Sequence, residues 1–524
     1  MLYEGTRDGR PRRPRTERRA APERAQGRRR GRGARRDRRR PQLLAQVPVS
    51  AAEAASFVSN DPDLHLLRRA TWGITAKTLK EIQRLGRDDW LERQLDPGSI
   101  ADGLADDVMA RFPRLEDSMR QVWDTQDFGW DWMFDLGVST LARACWSKRQ
   151  LLEVMVDFWS NHLNVANPSD NVWHSRHDYD VTVIRAHALG KFSDMLAASA
   201  RHPSMMLYLN NAESTFENPN ENYGRELLEL HSVGVDGGYD EDDMRASTLV
   251  MTGFGFDWDT GLYQYHPWAH HVGPLQVMGW SSQNGNKDGE AVGLDYVDYL
   301  AHHPSTARHI ATKLVRRFVS DTRQDGMVDR LAETYLDNDT AIAPVLRKLF
   351  RSNAFANAIG AKVRRPLEDL VATVRTLKIK PDANGTQGLR SLYWMAEGLG
   401  HAPLAWGPPN GYPDDADSWR SAGGMIGKWN SHVALAAHWW PEELVLPPLE
   451  RLLPNALPDT HGGLVQALAE ALVFRKLSKS RRDAVLALVG RSAGDPLDWD
   501  DEAVGWRLAY LVSLILDSPY HAIR

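Results

Sequence analysis

From Asp61 onward, apolar residues recur every three or four positions, interrupted by short polar, Gly or Pro breaks. That period belongs to helices with one buried face. "DPDLHLLRRATWGIT" predicts a helix ending in a Gly turn, and "AKTLKEIQRLGRDDWLERQLDP" predicts another that stops at Asp96-Pro97. Residues 136–165 read as one long helical stretch, and "DVTVIRAHALGKFSDMLAASARHPSMMLYLNN" continues in the same style. The period returns in "STARHIATKLVRRFVSD", "TAIAPVLRKLFRS", "RRPLEDLVATVRTLK" and "WRLAYLVSLILDSPYHA". Strand patterns are rare: "FGFDW" and "LYQYH" around "DTG" predict one hairpin. The expected class is mainly α, a large multi-helix domain with a small β-hairpin element. The expected organisation is a disordered tail over 1–45, a helical domain over 60–440, and a C-terminal helical segment over 441–524 packed on it. "KPDANGTQG" and "LVLPPLERLLP" are the clearest breaks.

Charge separates the tail from the rest. Residues 1–40 hold 17 Arg, no Lys and 5 acidic residues, a net of +12, whereas the remaining 47 basic and 64 acidic residues give −17. An acidic body excludes a duplex nucleic-acid surface there and leaves only the Arg-rich tail for such a partner. No stretch reaches roughly 18 uninterrupted apolar residues, so no membrane span is expected. No signal-like apolar segment follows the paired arginines, which favours a cytoplasmic location. The single cysteine, Cys145, excludes an intrachain disulfide and thiolate metal clusters.

Histidine brings in candidate chemistry, with 12 of 18 falling between His162 and His309. Imidazole is both a common metal ligand and a general base near neutral pH. His202 and His303 precede Pro and fit turn caps, and of the adjacent His270 and His271 at most one points inward. No local zinc signature is present, so a metal would need ligands from distant segments. Two His and one carboxylate with open positions would suit non-haem iron, and added oxygen ligands would suit manganese or calcium.

"ENPNENYGRELLELHSVGVDGGY", residues 217–239, holds the densest polar grouping. At about 100° per residue, Asn222, Arg225, Glu226 and Glu229 share one stripe. His231 falls about 180° from Asn222, on the apolar side, and joins the carboxylates only if the regular helix ends first. The bland alternative is a solvated stripe with an Arg225–Glu229 ion pair.

These residues belong to an ordered series: "LLRRATWG", "FWSNHLNV", "IRAHALGKFSDML", "HPSMMLYLNN", "NENYGRELLELHSVGVDGGY", "TGFGF", "HPSTARHIATKLVRRFV", "RRPLE" and "PPNGYPDDADSW". In that order they resemble the DUF1800 family, bacterial proteins of uncharacterised activity. The resemblance implies a large helical domain. It places the family's polar motifs at Glu221, Asn222, Tyr223, Arg225 and Glu226, and at Asn161 and His162. Gly224 stands where the family more often has Ala, a change expected to loosen the helix by up to about 1 kcal/mol. "HPWAHHVG" also departs from the family's pattern. The candidate catalytic residues are therefore Asn161, Glu221, Asn222, Arg225 and Glu226. The candidate ligands of a divalent metal are His162, Glu226 and His231.

Two functions fit these expectations. One is a metal-dependent enzyme, hydrolytic or oxidative, with a His/carboxylate/Arg site. The other is a scaffold or partner-binding protein acting with a sulfatase-like DUF1501-type neighbour. The second draws on 19 Trp, among them Trp406, Trp419, Trp429, Trp439 and Trp440.

Overall fold

The computed structural model describes residues 51–126 and 128–524, so the Arg-rich tail over 1–45 lies outside the described residues. Among the described residues helices dominate, and the strands form two antiparallel two-stranded sheets. The predicted hairpin is present: Phe254–Asp257 pairs with Leu262–Tyr265, Phe254 opposite Tyr265. A second hairpin pairs Leu275–Val277 with Trp280–Ser282. It turns through Met278 and Gly279, both at positive φ, the conformation that suits a two-residue hairpin loop. Among the described residues no helix is long and apolar enough to cross a membrane.

Helix Pro62–Ala70 starts where Asp61 accepts hydrogen bonds from the Asp63 and Leu64 amides, and charged oxygens suit helix N-termini. Two stretches expected to be continuous are broken. "AKTLKEIQRLGRDDWLERQL" divides into Ala76–Leu85 and Arg87–Leu95 at Gly86, whose φ is +85°. Residues 136–165 divide between Trp130–Trp146 and Gln150–His162. There Asp102 accepts from the Ser147 hydroxyl and from the Lys148 amide at 2.8 Å. A distant carboxylate thus supplies the interruption, which local periodicity does not contain.

One apolar cluster runs from Phe57 to Ile523. At its centre helix Pro366–Thr376 is buried at every position. Helix Ala422–Ala436 packs on it and on Leu508–Leu516. Helices Gln150–His162 and Pro304–Phe318 bring their polar ends toward the loop 401–421, and a cavity of about 670 Å³ lies among them.

Short helix Glu221–Glu226 packs against Glu241–Val250. A Cβ on Gly224 would lie 2.7 Å from the Thr248 Cα. Gly224 therefore permits close helix–helix approach, and the expected loosening is outweighed by contact that Ala would obstruct.

Candidate functional site

The last turn of helix Gln150–His162 presents Asp157 and Asn161 on one face and buries His162. Asn161 joins two segments: its Nδ2 donates to the Asp157 carbonyl at 2.7 Å, and its Oδ1 accepts from the Tyr412 amide at 2.9 Å. Gly411 makes this approach possible, because a Cβ there would lie 2.1 Å from the Asn161 carbonyl oxygen.

The stretch 221–239 departs from a regular helix. Asn220 caps Glu221–Glu226, after which Leu227–His231 forms a π turn. Such widened turns occur often at functional sites. The Gly234 amide donates to the Leu228 carbonyl at 3.0 Å and closes the turn. Gly234 has φ +87°, and a Cβ on it would lie 2.2 Å from His309 Nδ1.

Helix Pro304–Phe318 starts at His303, whose Nδ1 accepts from the Ser305 amide, as His202 does from Ser204. Both histidines before Pro are therefore caps. His309, Lys313 and Arg316 follow at helical spacing on the cleft side, while Ile310, Leu314 and Arg317 face inward.

These pieces bring three imidazoles and one amine together. His162 Nε2 lies 3.1 Å from the His231 carbonyl oxygen, and His162 Nδ1 lies 2.9 Å from Lys313 Nζ. The carbonyl can only accept, so Nε2 carries the proton and Nδ1 accepts from Lys313. The rings of His231 and His309 lie 6.4 and 5.7 Å from that of His162. His231 Nε2 is buried without a hydrogen-bond partner. Burial and then Lys313 push His162 well below the usual imidazole range, and push His231 and His309 down to about 3. Lys313 itself is lowered to about 8 by burial and then Arg316, with Asp414 opposing. Among the described residues Lys313 and Arg316 have no carboxylate within ion-pair distance.

Behind the cleft, charge is matched. Arg317 Nη1 meets Glu368 at 2.6 Å and Nη2 meets Asp157 at 3.3 Å. Arg365 meets Asp157 at 2.7 Å and Glu368 at 3.2 Å, and Arg524 meets Glu368 at 2.8 Å. Lys362 pairs with Asp321 and Asp414. Burial alone would raise Glu368, but Arg524, Arg365 and Arg317 together hold it well below the carboxylate range.

The stripe at 221–229 lies apart from this centre. Arg225 pairs with Glu221 at 3.2 Å rather than with Glu229, and its Nη1 reaches Met244 Sδ at 3.0 Å. The π turn begins after Glu226 and carries Glu229 away, toward Tyr239. Glu226 is raised by burial and then by Glu229, with Arg225 opposing, while Asn222 is half-buried. The structure thus brings Asn161, His162 and His231 to one place. It leaves Glu221, Asn222, Arg225 and Glu226 on another face of the same segment.

The ligand atoms of His162, Glu226 and His231 do not gather within 4.8 Å; among the described residues Asp369, His432 and His521 do. That set fits an imidazolium better than a divalent ion. His432 Nε2 lies 2.8 Å from Asp369 and Nδ1 lies 2.7 Å from Asp517, so both nitrogens donate to carboxylates. Burial opposes the charge, but Asp369 and Asp517 outweigh it and raise His432 to about 9. Most remaining histidines are structural, such as His174 on the Gly261 carbonyl and His270 between Thr252 and Asn284.

The family model described as "Protein of unknown function (DUF1800)" matches residues 65–523. The chain belongs to the DUF1800 family. No curated protein and no solved structure matches it. In this DUF1800 protein the segments "FWSNH", "LHSVGVDGG", "HIATKLVRRF", "RRPLE" and "PPNGYPDD" are neighbours at one cleft. Asp157, His309, Lys313, Arg316, Arg365 and Asp414 are site-forming residues that motif reading did not single out. The available signal was the spacing of His309, Lys313 and Arg316 along one helical face, with Arg317 at the edge of that row.

Proposed function

We propose that this protein is an enzyme that binds an anionic substrate in the cleft and carries out acid–base chemistry at Lys313. The Lys313–His162 contact carries the reading: the amine is held at 2.9 Å by a neutral imidazole, beside Arg316, on a cavity wall. A buried lysine with a structural task takes carboxylates, as Lys362 does. A group titrating near 8 can exchange a proton close to neutral pH. Arg316 supplies attraction for a carboxylate, phosphate or sulfate, and Trp406 and Tyr412 supply an aromatic wall. Asn161 and His162 act as positioning residues. With Nε2 donating to His231 and Nδ1 taken by Lys313, His162 has no lone pair free for a metal while that contact stands.

Inorganic sulfate titrated at constant ionic strength, with chloride as control, tests this reading. Wild-type protein should show saturable stabilisation, weakened at least about tenfold in both Lys313→Met and Arg316→Gln. Hydrolysis of a panel of carboxylate, phosphate and sulfate esters should follow the same pattern. Equal sulfate responses in all three proteins would end the reading.

A second reading has an observation of its own. Trp439, Trp506 and Tyr510 are exposed by 55%, 61% and 37%, and both tryptophan rings lie near Tyr510, at 6.2 and 6.0 Å. Exposed aromatic groups favour protein contacts, and a DUF1501-type protein is the partner the resemblance suggests. Co-purification with such a neighbour, lost in Trp439→Ser with Trp506→Ser, is the supporting result; unchanged co-purification removes the patch from consideration.

A further inference from the structure

Resting on the reading of the cleft as an enzyme's anion site, the surroundings of Lys313 favour a narrower chemistry. Its Nζ touches a neutral imidazole rather than an acid, so nothing among the described residues locks it as an ammonium ion. The His162 proton is on Nε2, pinned by the His231 carbonyl. Nδ1 therefore accepts one N–H from Lys313 whether the amine is charged or neutral. When neutral, the amine keeps that contact and has a lone pair to offer a ligand in the cleft.

The surrounding charge selects what could be attacked. Arg316 lies one helical turn from Lys313, and both line the cavity. The other guanidinium groups on its wall are engaged: Arg308 by Asp329, Arg323 by Asp325, and Arg365 by Asp157 and Glu368. Arg316 is thus the free guanidinium of the cleft among the described residues. Lys313 and Arg316 line the cavity one turn apart, so a ligand whose carbon faced Nζ would turn its anionic group toward Arg316. About 670 Å³ is ample for a metabolite-sized ligand.

We propose that Lys313 is a nucleophilic amine that captures a small 2-oxo acid as an imine, with Arg316 holding the carboxylate and His162 orienting the amine. The Nζ lone pair attacks the carbonyl carbon and forms a C–N bond. Two amine protons move to the carbonyl oxygen, which departs as water, and a C=N bond remains. No oxidant or reductant is consumed. Lysines beside a second cation and away from bulk water are activated in this way. Around Lys313 the titratable and charged groups are His162, His231, His309, Arg316 and Asp414. With burial dominant and Arg316 adding to it, the free amine is present from about pH 8 upward.

The test uses the full-length protein with pyruvate and sodium borohydride, which delivers hydride to the imine carbon and fixes the adduct. Peptide mass mapping should find the carboxyethyl adduct on Lys313 at least about tenfold above any other lysine, its yield rising through about pH 8. Arg316→Gln should reduce the yield about tenfold, and sulfate should compete. His162→Asn should lower the trapping rate while leaving sulfate binding within about twofold. Adducts spread over surface lysines, with Lys313 unlabelled in folded protein, would overturn the proposal. If sulfate still binds through Lys313 and Arg316 in that case, the anion site stands and only the amine chemistry falls. If sulfate binding is also absent, both fall.

Discussion

Lys313 and Arg317 stand one turn apart on the same helix, yet their surroundings are opposite. Arg317 is 1% exposed and faces Glu368 and Asp157, in a network that includes Arg365 and Arg524. Lys313 keeps part of its surface on the cleft and touches an imidazole. A buried cation without a carboxylate is costly to keep, so matched charge marks what the fold requires. Unmatched charge marks what a ligand would satisfy. One turn of rise and about 40° of rotation separate the two, which leaves 309, 313 and 316 on the cleft and carries 317 toward the buried row of 310 and 314.

The sharpest way to break the matched side is Glu368→Gln. Its Oε1 serves Arg317, Arg365 and Arg524 together, so neutralising it leaves Arg524 without its carboxylate and Arg317 and Arg365 sharing Asp157. The expected loss is about 3–5 kcal/mol, measured from the urea midpoint. A loss below about 1 kcal/mol would mean that the network is not matched in solution.

The pH dependence separates the two kinds of site next. His432 is raised from 6.5 to about 9, so its contribution is fully present below about pH 6.5 and disappears as pH rises through 9. Its size is on the order of 3 kcal/mol. His162, His231 and His309 are depressed, so the unfolded chain binds protons first and stability falls as pH drops below about 6.5. Urea midpoints between about pH 5 and 8 should therefore peak near pH 6.5, while above about pH 8 the lowered Lys313 works against the fall. His432→Gln should lose the alkaline fall and keep the acid one; an unchanged alkaline fall in that variant would refute the Asp369–His432–Asp517 account.

Lys313→Met follows in size and has the opposite sign. Removing a desolvated cation should leave stability near pH 7 unchanged or raise it by about 1–2 kcal/mol, while the sulfate response is lost. A destabilisation above about 2 kcal/mol would move Lys313 into the structural class with Arg317.

The mainly α class was legible because helix periodicity needs only local sequence, as were the "HP" caps and the "DTG" hairpin. The breaks at Gly86 and at 147–149 were not, since the second depends on Asp102. The motif order was legible as a series, but its meaning required contacts across 151 residues for Lys313 with His162 and 251 for Tyr412 with Asn161. A regular-helix projection set His231 opposite the stripe. It did not contain the π turn at 227–231, and it paired Arg225 with Glu229 instead of Glu221. Gly224 read as a weak point in a helix, whereas Thr248, far along the chain, gives it a packing reason.

The smallest expected effect concerns that stripe. Arg225 and Glu221 are exposed by 35% and 56% on their side chains and pair at i,i+4, so the ion pair itself contributes only a few tenths of a kcal/mol. Glu221→Gln should therefore shift the urea midpoint by no more than about 0.5 kcal/mol. Arg225→Met keeps apolar cover over Met244 and should behave alike. If both are stable yet the sulfate response or ester turnover drops, the stripe reaches the cleft through ligand, and the motif is functional although its pair is solvated. If either costs more than about 1 kcal/mol, Arg225 belongs with Arg317 as a packing charge, and the division between matched and unmatched sites has to include the 221–226 helix.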